Sequence, residues 1–441
     1  MIGGVWLKKI KVIFPVLAIV FLFSGCSFQL ASSVDELISP ISLTGENKDI
    51  QNALNSFCSD GYSLVNPESG SYTNSYTFYD YDLDDVEEAI VFYEPSSSLG
   101  TVNMALIDNE GGSWSVVSNV EGDGADIYLI DFCDLTGDGD LEFVILWDVI
   151  SDSTDHVLSV YKQSLEDGEF ALEKADKTIT VNNYLTVDID LDDVSEIMVF
   201  NIENGDTISA SATLYSFETG KLKSIGSTKL DGHINSYKNF SYETIDDTVY
   251  VYADAVKSSG TQMLTEIIYW SDYYDALISP YYSYSTGITQ KMIRDVMLST
   301  RDIDGDGKVE IPLDADVDDL PSAVVAVDWY IYKNSVLSHD IYSLAVEDDG
   351  YQVIIDDDWI DSFSVSYNDE SSKMSLKDDS DNLIFSIVTV LETAYDESDY
   401  SDYEVIMEND GYLYLGKVGS KAEFKITTDE LKSSIVSYEG D

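Results

Sequence analysis

Short apolar runs separated by turn-forming residues extend along most of the chain and predict β-structure. The runs are rich in β-branched and aromatic residues, are bounded by Gly, Asn, Asp and Ser, and recur roughly every 8 to 12 residues. This pattern is typical of an all-β sandwich, barrel or propeller. In the first two-thirds of the chain the predicted strands are 89–93, 102–107, 114–117, 143–147, 156–161, 196–200 and 210–216. Beyond residue 312 they are 324–332, 351–359, 383–391, 403–407 and 412–417.

Three segments have helical spacing instead. The first is a short piece at residues 50–57. The second, at residues 290–298, places four apolar side chains on one side of a helix: Met292, Ile293, Val296 and Met297. The third, at residues 427–436, has Thr428 in the N-cap position ahead of two acids in the first turn. The chain is therefore predicted to be mainly β, with few and short helices.

Alternating acids precede several of the apolar runs in a fixed spacing, D-x-D-x-D with a further acid at the ninth position. The sets are Asp80, Asp82, Asp84 and Glu88; Asp134, Thr136, Asp138 and Glu142; Asp188, Asp190, Asp192 and Glu196; and Asp302, Asp304, Asp306 and Glu310. Their first residues are 54, 54 and 114 positions apart, and the last interval is close to two further periods. A repeat of this length accommodates four strands, as in one blade of a propeller.

The spacing predicts calcium sites, because calcium takes six to eight oxygen ligands and a tight loop supplies them from alternate residues. In the last set Gly307 permits a positive φ, and the carbonyl of Lys308 is a further candidate ligand. Gly139 occupies the matching position, whereas Asp85 and Asp193 replace the glycine elsewhere and predict weaker sites. Magnesium fits less well, since it retains its waters and requires stricter octahedral geometry.

These loops resemble those of bacterial cell-surface proteins with FG-GAP or VCBS-type repeats. The likeness extends over about residues 49–312 and implies a β-propeller whose blades carry calcium-binding hairpin loops. Around residue 242, where another copy is expected, the spacing is missing, which predicts a blade without metal. Residues 313–441 are expected to form a small α+β domain, with two additional degenerate blades as the alternative.

The N-terminal segment predicts export and anchoring. Lysines precede the apolar run 12–23, which is too short to span a bilayer and is followed by Ser24-Gly25-Cys26. Residues 23–26 resemble the lipobox of bacterial lipoproteins, which implies lipidation of Cys26 and attachment to the outer face of the cell membrane. The prediction is a signal peptide at 1–25 and a lipidated tether at 26–48; an ordinary secretory signal is the alternative.

Charge restricts the possible partners. The chain has 83 acidic and 23 basic residues, a formal net charge of −60, so nucleic acid and anionic lipid surfaces are repelled. Divalent cations and basic partners are attracted, although a salt-adapted acidic surface would have the same composition. Two cysteines besides Cys26 leave room for one disulfide, but Cys133 lies in an apolar segment and is expected to be a buried free thiol.

Sequence motifs of common enzymes are missing, so a binding function is predicted. His156, His233 and His339 are far apart in sequence and stand in no catalytic motif. The tyrosine-rich segment 269–287 could recognise a ligand or pack within the fold. The expected partner is an extracellular protein, peptide or glycan. The alternative is a secreted polysaccharide hydrolase on the same scaffold, because paired carboxylates suffice for that chemistry.

Overall fold

Antiparallel strands make up most of the structure, a computed structural model that describes residues 46–80, 86–149, 154–166, 169–175, 177–204, 208–360 and 362–438. The mainly β prediction is confirmed. The predicted signal peptide, Cys26, most of the tether, and the loop acids Asp82 and Asp84 lie outside the described residues. Among the helices that are described, none has the length and apolarity needed to cross a membrane.

The regular elements are mostly short. The helices are α1 (Glu46–Phe57) and α2 (Thr428–Ser434), and single 3-10 turns lie at Glu347–Asp349, Asp357–Trp359 and Glu392–Ala394. The strands are β1 (Tyr62–Leu64), β2 (Tyr76–Tyr79), β3 (Glu88–Pro95), β4 (Asn103–Glu110), β5 (Ser113–Glu121), β6 (Asp126–Cys133), β7 (Glu142–Asp148), β8 (His156–Glu166), β9 (Glu169–Lys174), β10 (Ile179–Val181), β11 (Asn183–Val187), β12 (Glu196–Asn204), β13 (Ile208–Glu218), β14 (Lys221–Leu230), β15 (Ile234–Ile245), β16 (Thr248–Lys257), β17 (Met263–Ser271), β18 (Ala276–Ile278), β19 (Tyr282–Ser283), β20 (Ile288–Thr289), β21 (Ile293–Arg294), β22 (Ile311–Asp314), β23 (Val325–Lys333), β24 (Val336–Val346), β25 (Tyr351–Ile355), β26 (Phe363–Asn368), β27 (Lys373–Asp378), β28 (Leu383–Leu391), β29 (Glu404–Asn409), β30 (Tyr412–Val418) and β31 (Ile435–Ser437).

Neighbouring strands in sequence form the sheets. In the described part of the chain six sheets of four or five strands follow one another: β1–β5, β6–β10, β11–β14, β15–β18 with β21, β22–β25 with β31, and β26–β30. The central strand β7 is buried along its whole length, whereas the outer strand β14 alternates between buried and exposed residues. Both faces of a central strand must therefore be covered, which is why such strands appear in the sequence as continuous apolar runs.

The apolar core lies between successive sheets, within a compact unit of residues 53–441. On β7, Phe143, Ile145 and Trp147 pack with residues of the β1–β5 sheet, whereas Val144 and Leu146 pack with residues of the β11–β14 sheet. The same arrangement recurs between the later sheets, up to a cluster shared by β23–β25, β27, β28 and α2. The central strands of the inner sheets thus contribute side chains to two cores.

The predicted strands are present, and most extend by a few residues beyond the predicted limits. The strand predicted at 351–359 is shorter, because it ends at Ile355 and Asp357–Trp359 forms a 3-10 turn. The helix predicted at 50–57 is confirmed as α1. The C-terminal helix is also present, but its N-cap is Thr427 rather than Thr428. Thr427 and Glu430 form a capping box, in which each side chain accepts a hydrogen bond from the other residue's backbone N–H. The helix ends at Ser434, because the next three residues join a sheet as β31.

The helix predicted at 290–298 is wrong. Burial alternates along this segment, with Met292, Arg294, Val296 and Leu298 buried and Ile293 exposed, which is the period of a strand. Residues Ile293–Arg294 pair with β17 as β21. The helical interpretation placed Ile293 on the same side as Met292 and Val296, whereas in the structure Ile293 is exposed and Arg294 is buried on that side.

Candidate metal centre

The four acidic stretches are closed by the same antiparallel pairing. In each, the residue before the first acid pairs with the closing glutamate across an antiparallel bridge: Tyr79 with Glu88, Cys133 with Glu142, Val187 with Glu196, and Arg301 with Glu310. All four glutamates are buried. Near residue 242 the loop is replaced by a two-residue turn, Asp246-Asp247, with positive φ at both positions, which leaves no room for a ligand set.

The first aspartate of each fully described loop accepts hydrogen bonds from the loop's own backbone. Its Oδ2 accepts from the N–H of the sixth loop residue at 2.9 Å in all three cases, from Gly139, Asp193 and Gly307. The loop backbone therefore folds around this carboxylate in the same way each time.

The closing glutamate is fixed in the same repetitive manner. Its Oε2 accepts from the N–H of the second loop residue, Leu135 at 2.8 Å, Ile189 at 3.1 Å and Ile303 at 3.0 Å. Those three apolar side chains are buried and anchor the loop to the core. In the last loop the second oxygen, Glu310 Oε1, is buried and has no hydrogen-bond partner among the described residues. A buried carboxylate oxygen without a donor is suited to a cation.

Two positions of each fully described loop have left-handed backbone. The sixth residue, predicted from sequence, has φ of 91° at Gly139, 69° at Asp193 and 87° at Gly307. The fourth residue, which was not predicted, has φ of 75° at Gly137, 79° at Gly305 and 60° at Leu191. Leu191 carries a Cβ in this conformation, so the loop that starts at Asp188 is strained at this position, whereas glycine occupies it in the loops that start at Asp134 and Asp302.

Carboxylate oxygens gather closely in two of the described loops. Three groups have oxygens within 4.8 Å of one another: Asp188, Asp190 and Glu196; Asp302, Asp304 and Asp306; and Asp306, Glu310 and Asp340. Asp192, and the acids of the loop that starts at Asp134, belong to no such group among the described residues. These acidic clusters could hold a metal ion.

The remaining predicted ligands have other surroundings. Thr136 is exposed, and its N–H donates to Asp134 Oδ1 at 3.0 Å. The N–H of Lys308 donates to Asp306 Oδ1 at 2.9 Å, and the lysine ammonium contacts the other oxygen of Asp306. Asp80 is half-buried at the end of β2. The ammonium of Lys308 and a bound cation would compete for Asp306, since both are attracted to the same carboxylate.

Asp340 is a candidate ligand that the sequence pattern did not reveal. It lies on β24, thirty residues after Glu310, and follows no acidic spacing. In the pairing of β23 with β24, Tyr330 faces His339 and Trp329 faces Ile341, so Asp340 is the extra residue of a β-bulge. A bulge redirects a side chain out of the regular alternation, which brings this carboxylate to the loop.

Burial, reinforced by the neighbouring aspartates, raises the pKa of the closing glutamates Glu142, Glu196 and Glu310, although the hydrogen bond from a backbone N–H has the opposite effect. The pKa is about 7 for Glu142 and Glu196 and about 8 for Glu310. These carboxyls therefore hold protons near neutral pH when no cation is bound, and a cation must displace them.

This competition predicts an unusual pH dependence. In the metal-stripped protein the folded state holds protons that the unfolded chain releases from about pH 4.5, so raising the pH to about 8 should lower the melting temperature by several degrees. With calcium in excess the ionised glutamates are favoured, and the decrease in melting temperature should become smaller or change sign. Thermal unfolding at pH 5 and pH 8, with and without calcium, measures the change in melting temperature under both conditions. An equal change with and without calcium would contradict the prediction.

The three histidines each contact an aspartate. His156 Nδ1 contacts Asp148, His233 Nδ1 lies 3.0 Å from Asp231, and His339 contacts Asp328 and Asp357.

The tyrosine-rich segment 269–287 contains both exposed tyrosines, which could contact a ligand, and half-buried tyrosines that pack within the fold. Its exposed members are Tyr273, Tyr274 and Tyr284, whereas Tyr269, Tyr281 and Tyr282 are half-buried.

Comparison with known proteins gives distant structural matches. No family model and no curated protein matches the chain. The solved structures include an exotype rhamnogalacturonan lyase, YesX, with 14% identity and a TM-score of 0.29 over 72% of this chain and 66% of that one, just under two thirds. The Bacillus licheniformis rhamnogalacturonan lyase PL11 matches with 12% identity and a TM-score of 0.28 over 84% of this chain and 74% of that one. Likeness at this level indicates neither a shared activity nor a shared site.

Proposed function

We propose that the protein is a calcium-stabilised binding protein of the bacterial cell surface. The observation that supports this most strongly is the repetition of one loop structure, with the same three features at 134, 188 and 302. These are a first aspartate wrapped by backbone N–H groups, a left-handed sixth residue and a buried closing glutamate. Repetition at this level of detail is not expected of acids that serve only to solvate a surface.

Calcium is the cation that these ligands suit best. The candidate donors are carboxylate oxygens, which a hard cation prefers, and the loops contain neither cysteine nor histidine. The loop at 302 fits best, because Asp306 belongs both to the group with Asp302 and Asp304 and to the group with Glu310 and Asp340. In addition, Glu310 Oε1 has no hydrogen-bond donor among the described residues. A bound calcium ion would neutralise the repulsion between these carboxylates and tie the hairpin to β24. Its role would therefore be structural.

We further propose that the six sheets are propeller blades of the FG-GAP or VCBS kind. Support comes from their construction from consecutive antiparallel strands and from the packing of the central strands of the inner sheets between the preceding and the following sheet. Radial repetition of such sheets is the definition of a propeller. On this proposal residues 313–441 would supply the last two blades.

Anchoring through lipidated Cys26 would place these blades outside the cell. The large negative charge would keep the protein away from nucleic acid and anionic lipid. The role we propose there is binding of an extracellular protein or glycan, with calcium stiffening the scaffold.

Calcium titration by calorimetry tests the proposal. We expect binding to several sites per chain at about 10⁻⁴ to 10⁻³ M, the range of extracellular calcium modules. Calcium at about a hundred times the dissociation constant should stabilise the fold by about 2.7 kcal/mol per site, and EGTA should lower the melting temperature accordingly. An unchanged melting temperature and no heat of binding would contradict the proposal.

Single substitutions assign the ions to the loops. Glu310→Gln and Asp340→Asn should each lower the number of calcium ions bound per chain by one, or weaken the affinity of one site about tenfold or more. Asp316→Asn is the matched control, because Asp316 is exposed and belongs to an alternating acidic stretch that lacks a closing acid. An equal loss in the Asp316 variant would indicate a general charge effect.

A further inference from the structure

A polar cavity lies between three successive sheets, away from the acidic loops. Its volume is about 370 Å³, within the usual range for small-molecule sites. The lining residues that matter here are Glu68, Tyr128, Asp148, His156, Asn183 and Asn235. They come from the segment before β2 and from β6, β7, β8, β11 and β15, so strands distant in sequence direct polar groups to one place.

One wall of the cavity is a rigid pair of rings. His156 and Asp148 are buried, and His156 Nδ1 contacts the carboxylate of Asp148. The ring of Tyr128 stacks on the imidazole with centroids 4.2 Å apart and planes 18° apart. Gly124 allows the backbone to approach Asp148, since a Cβ there would lie 2.5 Å from the carbonyl oxygen of Asp148. The wall is therefore held in place before any ligand arrives.

The opposite wall presents amide groups. Asn182 is occupied by the protein itself, because it accepts from Ile202 N and donates to Thr154 O and Asp155 Oδ1. Asn183 accepts from Tyr184 N at 2.8 Å and makes no other side-chain hydrogen bond to a described residue. The side chain of Asn235 is exposed and hydrogen-bonds to no described residue. Two amides thus remain available to a ligand as donors, and Asn235 also as an acceptor.

The charge of the lining selects the kind of ligand. The described lining residues include no lysine or arginine, and the two carboxylates would repel a phosphate or a uronate. A cation is also disfavoured, because Asp148 is already paired with His156 and Glu68 is exposed to water. The aromatic rings of the lining suit the apolar face of a ligand ring. The amides and carboxylates beside them suit hydroxyl groups on that ligand ring.

We propose that this cavity binds an uncharged sugar residue of an extracellular glycan. The inference rests on the proposed binding function and specifies its partner. The calcium loops would support the sheets that form the cavity, and the cavity itself would supply recognition.

The test is ligand binding by the full chain at saturating calcium. Cellotetraose, maltotetraose, xylotetraose, mannotetraose and galactotetraose serve as neutral probes, with tetragalacturonate as the anionic probe, in saturation-transfer NMR and calorimetry. At least one neutral probe should bind with one site per chain, and tetragalacturonate should not. Binding of tetragalacturonate alone, or of none of the probes, would overturn the inference.

Substitutions then locate the site. Asn235→Ala removes only exposed atoms and should weaken the bound neutral sugar about fivefold to tenfold, and Tyr128→Ala should weaken it at least as much. Tyr242→Ala is the control, because this exposed tyrosine on β15 is not among the residues that line the cavity. Undiminished binding by the folded Asn235 variant would place the sugar elsewhere. Calcium binding without any sugar binding would overturn this inference alone, whereas sugar binding without calcium binding would overturn the calcium proposal alone.

Discussion

Replacing Arg294 with methionine is expected to lower the free energy of unfolding by about 3–5 kcal/mol. Arg294 is 1% exposed and Asp254 is fully buried, and Arg294 Nη2 lies 2.9 Å from Asp254 Oδ1. The guanidinium also donates to Thr265 Oγ1 at 2.8 Å and to the carbonyl of Leu298. Its removal would leave a buried carboxylate without its partner charge and free a carbonyl, and both are costly. Urea denaturation of the variant measures the loss.

The control for this prediction is an ion pair on the surface. Lys223 and Glu218 also lie 2.9 Å apart, but both side chains are more than half exposed, so Lys223→Met should cost less than about 1 kcal/mol. A double variant, Arg294→Met with Asp254→Leu, should recover part of the lost stability, because it removes both charges of this buried pair and leaves neither one unpaired. Equal losses of stability in the Arg294→Met and Lys223→Met variants would show that burial is not the cause.

Replacing Trp329 with alanine should cost about 3–5 kcal/mol and should also weaken calcium binding at the loop that starts at Asp302. The indole is fully buried in the cluster that contains Ile303, the second residue of that loop, and its Nε1 donates to Ser343 Oγ at 2.9 Å. A cavity at this place would release Ile303, whose N–H holds Glu310. Denaturation and calcium titration of the same variant measure both effects.

The Trp147→Ala variant is the control that separates the loss of the contact with Ile303 from a general loss of stability. Trp147 is equally buried, but its cluster joins the β1–β5 and β6–β10 sheets and contains no residue of the 302 loop. Its loss should destabilise the protein to a similar extent and leave calcium binding at that loop unchanged. Weakened binding in both variants would mean that any loss of stability, and not the contact with Ile303, reduces the affinity.

The acidic loops and the strands around them could be predicted because their determinants are local. The alternation of acids, the glycine at the sixth position and the following apolar run are all within a dozen residues, and the hydrogen bonds that shape each loop are equally short in range. The left-handed fourth residue could have been inferred from Gly137 and Gly305, but Leu191 in the third loop concealed the requirement.

The segment 290–298 could not be assigned correctly from its own residues. Its apolar positions fit a helix as well as a strand if Arg294 faces water, and only the pairing with Asp254, forty residues earlier, makes the arginine a buried residue. Asp340 is a second case, since a bulge between β23 and β24 decides where its carboxylate lies.

Neighbouring residues alone are enough to decide that this chain forms β-hairpins and that their loops concentrate carboxylates, because turns, strands and cation ligands depend on short-range geometry. Which carboxylates from other strands join them, which charge is buried, and which side chains meet around the polar cavity depend on how the sheets pack. Those contacts join residues tens of positions apart, and no local pattern specifies which strands will become neighbours. They emerge only in the folded molecule.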